Sequence, residues 1–129
     1  MIKLIIKGKP ITKKNSMRIV TNPRTGRVSL IPSKAFVDYQ KVFLSQVRRP
    51  KQTIDQPVNV QAVYYMPTRH RVDITNPLSA THDLLVDAGV LEDDNSKIVV
   101  GVDGSRVLYD KENPRVEIVI SKAMWTGEY

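Results

Sequence analysis

Asn76-Pro77 and Gly89 punctuate this chain more sharply than any other residues in it. Asparagine is a good helix N-cap. Proline suits the first helical position, where its missing N–H has no partner to lose, and glycine is the expected left-handed stop. Between them Leu78, Thr81, Leu84, Leu85 and Ala88 recur at three- and four-residue spacing, so the segment is expected to fold as a helix with one apolar face. The same region is a hole in the charge pattern. From Val72 to Ser96 there is no lysine or arginine, yet Asp73, Asp83, Asp87, Glu92, Asp93 and Asp94 make six of the chain's 13 acids. The first 51 residues show the reverse, thirteen Lys or Arg against the single acid Asp38. A positive body around a carboxylate cluster suits a metal-dependent enzyme acting on a polyanion, because cations hold phosphates and carboxylates hold a divalent ion.

Composition narrows the setting. A length of 129 residues with 41% hydrophobic content is material for one domain, residues 1–129, around one core. A net charge of +7 points to an acidic partner. Nucleic acid fits better than a membrane surface, since no basic amphipathic helix of the membrane type stands out; solubility alone is the bland account of the same charge. The absence of cysteine excludes disulfides, thiolate zinc sites and cysteine nucleophiles, and agrees with a reducing compartment. The opening MIKLIIKGKP is too short and too charged for a signal peptide, and no run reaches transmembrane length, so a cytoplasmic protein is expected.

Along the chain, Lys3 to Lys7 reads as a first strand ended by Gly8 and Pro10. A polar basic loop, Thr12-Lys13-Lys14-Asn15-Ser16, follows. Met17–Thr21 and Arg27–Ile31 read as the arms of a hairpin around the turn formers Asn22 to Gly26. Ser33 is placed to cap a helix in which Ala35, Phe36, Tyr39, Val42, Phe43, Gln46 and Val47 recur on one largely apolar face, ending near Arg49 before Pro50. Val58 to Met66 is strongly β-prone. After the second helix an acidic turn, Glu92 to Asn95, leads into a strand at Ile98–Val102. A hairpin turn is expected at Asp103-Gly104, with strands at Arg106–Tyr109 and Arg115–Ile120 and a loose tail from Met124 in which Trp125 can pack.

The chemistry-bearing residues flank the second helix. Asp73 lies just past a strand, Asn76 at the helix start, and Asp94 in the turn beyond the helix, so two aspartates from different loops can share a cation. Mg²⁺ takes hard oxygen ligands and usually only one or two carboxylates, with waters and substrate phosphate completing it. The same acids also suit ordinary roles, Asp73 at a helix N-terminus and Asp93-Asp94-Asn95 as a plain turn. Asp83 faces the side of Asn76 and Ser79 and either extends the acidic patch or is simply solvated. His82 reads as a structural helical histidine more readily than as a ligand or base. The basic side has three pieces: Lys13-Lys14-Asn15-Ser16, Arg24 and Arg27 at the hairpin tip, and Arg69-His70-Arg71 just ahead of Asp73. No Gly-rich phosphate loop, GxSxG elbow or HExxH motif is present.

Four stretches together resemble the RusA family of Holliday junction resolvases, small endonucleases common in phages and prophages: Lys13-Lys14-Asn15-Ser16, Ile31-Pro32-Ser33-Lys34-Ala35, Arg71-Val72-Asp73-Ile74-Thr75-Asn76, and Asp87-Ala88-Gly89-Val90-Leu91-Glu92-Asp93-Asp94. The resemblance spans nearly the whole chain. It implies an α+β fold with a mixed sheet, two main helices and β-hairpins, a homodimer, and paired cleavage of four-way DNA by an aspartate cluster holding Mg²⁺, with Mn²⁺ as a possible substitute. By position it implies Asp73 and Asp94 as catalytic metal ligands, Asp93 as their matching neighbour and a further candidate ligand, and Asn76 as a catalytic positioning residue; Asp83 is a further candidate metal ligand from its place on the helix. Lys13, Lys14, Asn15, Arg24, Arg27, Lys34, Arg69 and Arg71 would hold DNA. Thr75 stands where the family has its second aspartate and Ser79 where it has an assisting lysine. A site rebuilt around them would use Asp83 as a carboxylate and Arg71 or Lys14 as a cation. A non-catalytic binder of branched DNA and a general branched-DNA nuclease are the alternatives.

Overall fold

A computed structural model describes residues 1–13 and 17–123; Lys14, Asn15 and the tail with Trp125 lie outside the described residues. The elements run β1 (Ile2–Lys7), β2 (Met17–Thr21), β3 (Val28–Pro32), α1 (Lys34–Gln46), β4 (Val58–Met66), α2 (Thr75–Asp87), β5 (Val99–Gly101), β6 (Arg106–Tyr109) and β7 (Arg115–Lys122). The main sheet is mixed. β7 lies between β1 and β4 and is antiparallel to both, while β4 takes β5 and β6 in parallel on its other side. The expected α+β class with two helices is what forms.

Alternation decides which face of the sheet is covered. Along β4 every second residue, Val58, Val60, Ala62 and Tyr64, is buried, and Val116, Ile118 and Ile120 of β7 join Ile6 of β1 on the same face. Phe36, Tyr39 and Phe43 of α1 and Leu78, Ala80, Leu84 and Leu85 of α2 close over it, their spacing giving each helix one apolar stripe. One polar bond sits in this layer: the Tyr64 hydroxyl and Thr81 Oγ1 lie 2.6 Å apart, which ties β4 to the middle of α2. Burial drives the Tyr64 phenol far above its usual range, so it keeps its proton, and either hydroxyl can donate in this bond.

Helix ends and strand breaks correct three sequence expectations. Ser33 does cap α1, its hydroxyl accepting from the Phe36 N–H at 3.2 Å, but the helix ends at Gln46 rather than near Arg49, because Val47 already has extended backbone ahead of Pro50. Asn76 is not the N-cap of α2. Ile74 is already in helical conformation, and Asp73 closes the start instead. Pro77 then falls within the first turn, where its missing N–H is still harmless. The far end of α2 behaves as expected: Gly89 takes φ +75°, with Gly89 N–H donating to Val86 O and Val90 N–H to Leu85 O, the double bond of a left-handed helix stop.

The third correction concerns Asp103-Gly104. β5 and β6 do not form a hairpin; both run parallel to β4, so they are two pieces of one edge strand interrupted by a turn. The interruption is filled from β4. Asn59 accepts the Asp103 N–H at 2.8 Å and donates to its carbonyl at 3.2 Å, and Ser105 Oγ accepts the Ala62 N–H at 3.0 Å. The strand expected over Ile98–Val102 accordingly shortens to Val99–Gly101. No helix among the described residues is long and apolar enough to cross a membrane.

Candidate active site

The acidic segment is held at both ends. Asp73 Oδ1 accepts the Thr75 N–H at 3.1 Å and the Thr75 hydroxyl at 2.8 Å, and its carbonyl accepts the Asn76 N–H at 3.0 Å. Asp73 therefore begins α2 and has its carboxylate oriented by Thr75. At the other end Ile54 clamps the chain, its N–H donating to Val90 O and its carbonyl accepting from Glu92 N–H, both at 2.9 Å. Asn95 closes the following turn, accepting the Lys97 N–H on its side chain and the Ile98 and Val99 N–H groups on its carbonyl. Asp94 projects between these two anchors and is exposed.

The two acids of the turn differ in what they do. Asp93 folds back, Oδ1 accepting the Asp94 N–H at 2.7 Å and Oδ2 the Asn95 amide at 3.1 Å, and these bonds hold its carboxyl below the ordinary carboxylate range. Asp94 instead acts across space on α2. Asp83 is half-buried, and its carboxyl is raised first by that burial and then by the negative charge of Asp94, while Lys13 opposes the shift. His82 shares this neighbourhood: burial lowers its pKa, Asp94 and Asp83 raise it, and its Nε2 is buried without a hydrogen-bond partner. Asp87 accepts a 3.0 Å bond from the Gln40 amide of α1, which offsets its unfavourable place at the helix C-terminus.

The structure thus brings Asp94, Lys13, Asp87 and His82 within electrostatic reach of Asp83. Lys13 had no local signal for this placement, because it comes from a loop far away in sequence. Asp73, at the start of α2, has its carboxylate held by Thr75. Among the described residues no group of three or more His, Asp or Glu is arranged to hold a metal by itself.

The other basic residues differ in what holds them. Arg69 stacks its guanidinium 4.0 Å from the centre of the Tyr109 ring, which steadies the loop between β4 and Asp73 against β6. Arg71, two residues from Asp73, is exposed, as are Arg24 and Arg27 at the tip of the β2–β3 turn. That turn is ordered by Asn22, which accepts the Arg24 N–H at 2.8 Å, and by Thr25, which accepts the Arg27 N–H at 3.2 Å. Lys34 forms an exposed 3.0 Å pair with Asp38, a contact of small energetic weight that leaves its charge at the surface. Ser79 is exposed on α2.

With this geometry in view, comparison with known families is informative. The family model described as Endodeoxyribonuclease RusA matches residues 7–121, which includes both anchors of the acidic segment and the basic loops. No curated protein matches the chain.

Proposed function

The chain belongs to the RusA endodeoxyribonuclease family, and from that premise we propose that it resolves four-way DNA junctions by paired, Mg²⁺-dependent phosphodiester cleavage. The observation that carries the reading is the family match over residues 7–121 together with an acidic segment fixed at both ends, by Asp73 at the start of α2 and by the backbone bonds of Ile54 to Val90 and Glu92. Beside it Asp83 is raised by burial and then by the charge of Asp94, with Lys13 opposing.

A divalent ion fits the donor set. The available groups are hard carboxylate oxygens, and Mg²⁺ usually takes only one or two carboxylates, with water and phosphate completing it. Asp73 and Asp94 would hold it, with Asp83 contributing its charge from α2 and Asp93 shaping the turn. When bound, Mg²⁺ supplies Lewis acidity, lowering the pKa of a water and neutralising charge at the phosphate.

The chain's own residues do the rest. Thr75 fixes the carboxylate of Asp73, Asn76 stands one residue further to position water or a phosphate oxygen, and Lys13 takes the place of a cation beside Asp83. Lys13, Arg24, Arg27, Lys34, Arg69 and Arg71 hold backbone phosphates, as do Lys14 and Asn15 of the first loop, so recognition is of charge and branch shape rather than base sequence. Hydrolysis forms one P–O bond from water and breaks the bond to the leaving sugar oxygen. A homodimer supplies two such sites in fixed relation for the two matched cuts.

A second reading, a branched-DNA binder without chemistry, is favoured by Thr75 and Ser79 in the positions of the family's second aspartate and assisting lysine. Cleavage assays on four-way, forked and linear DNA, each with Mg²⁺ or chelator, separate these readings. Metal-dependent paired nicks confined to the junction support resolution. Equal cutting of forks indicates a general branched-DNA nuclease, and salt-sensitive binding without cutting indicates the inert scaffold.

A further inference from the structure

β2 and β3 pair with each other in a sheet of their own, separate from the main one. A two-stranded ribbon is marginal in water without something against it. In its register Ile19 stands opposite Leu30 and Thr21 opposite Val28, so Ile19, Leu30 and Val28 share one face. That face is open: Ile19 is 73% exposed, Val28 64% and Leu30 62%.

Charge selects the partner. From Met17 to Pro32 the ribbon carries Arg18, Arg24 and Arg27 and no acid, and no acid occurs before Asp38. A second copy laid ribbon to ribbon would bring like charges together, whereas a polyanion complements them. Within DNA, leucine, isoleucine and valine have no donor or acceptor with which to read base edges, but they cover base faces well. Those faces are stacked in a linear duplex and are least costly to unstack where pairing is already interrupted, as at a branch.

We propose that the Ile19–Val28–Leu30 face is a wedge that covers unstacked bases at the branch point, with Arg24 and Arg27 on the flanking phosphates. This wedge gives the protein its preference for branched over linear DNA. The inference rests on the junction-cleaving reading and deepens it.

The test uses 2-aminopurine beside the branch of a four-way junction, with chelator present. Ile19→Thr/Leu30→Thr removes the apolar face while keeping β-forming side chains; Ile19→Met/Leu30→Met keeps the face apolar. Wild type and the methionine pair raise the fluorescence. The threonine pair loses that rise, and its junction-to-duplex affinity ratio falls about tenfold or more, with particle mass unchanged. A threonine pair that opens the branch like wild type overturns the wedge. So does a threonine pair whose particle mass halves, because the face then packs on a second copy. A mutation-free check follows the methyl resonances of Ile19, Val28 and Leu30. They shift with junction and not with linear duplex, and an absence of shift overturns the wedge even if the threonine pair does not fold. Wild-type protein that ignores junctions altogether removes the parent reading; wild-type cleavage with an unimpaired threonine pair removes the wedge alone.

Discussion

The Thr75 hydroxyl donates a 2.8 Å hydrogen bond to Asp73 Oδ1, the same oxygen that accepts the Thr75 backbone N–H. Thr75 thus supplies two donors that orient the carboxylate of Asp73.

Removing that restraint should weaken metal binding. Thr75→Val keeps the side chain's shape and loses the hydroxyl, so Mg²⁺ affinity, read by calorimetry without DNA, should drop roughly tenfold, the usual scale for losing a partner that orients a ligand. Thr75→Ser should retain it. Equal affinity in Thr75→Val would remove Thr75 from the site.

Asp83 gives a pH prediction for the metal-free protein. Its folded pKa lies above the ordinary 3.8 through burial and the charge of Asp94. The folded state therefore binds this proton more tightly than the unfolded state. Stability linked to Asp83 is fully present below the ordinary value and declines as pH rises through the raised one. Asp83→Asn should melt higher than wild type at neutral pH in chelator, with the difference closing toward acid. Added Mg²⁺ should stabilise wild type more than Asp83→Asn. A mutant that melts lower than wild type at neutral pH would contradict the assignment of Asp83 to the carboxylate field.

The Tyr64–Thr81 bond should behave as a coupled pair. Tyr64→Phe leaves the buried Thr81 hydroxyl unsatisfied, and Thr81→Val does the same to the phenol, each costing about 1–3 kcal/mol. The double mutant should lose less than the sum of the two. Urea unfolding in a double-mutant cycle measures this, and simple additivity would show that the bond carries no coupling.

Much of the frame was legible because its signals are local. Val58–Met66 announces a strand through its own β-branched and aromatic residues, and Gly89 ends a helix because the left-handed stop suits glycine. What was not legible depended on distant partners. Asp73, Thr75 and Asn76 all have side chains able to cap a helix, and only the folded backbone selects Asp73. Asp103-Gly104 suits a hairpin turn as well as a strand interruption, and the choice is made by Asn59 and Ala62 of β4. Adjacent Asp93 and Asp94 look alike in sequence, yet one folds onto its own turn while the other acts on α2. The approach of Lys13 to Asp83 has no local signature at all.

The most direct measurement is cleavage of an end-labelled four-way junction by wild type, Asp73→Asn and Asp94→Asn, with Mg²⁺ or chelator. Symmetric nicks by wild type that require metal, and that vanish in both variants while junction binding persists, are the predicted result. Junction binding by wild type with no cut in any divalent metal, or undiminished cutting by Asp94→Asn, would contradict the account.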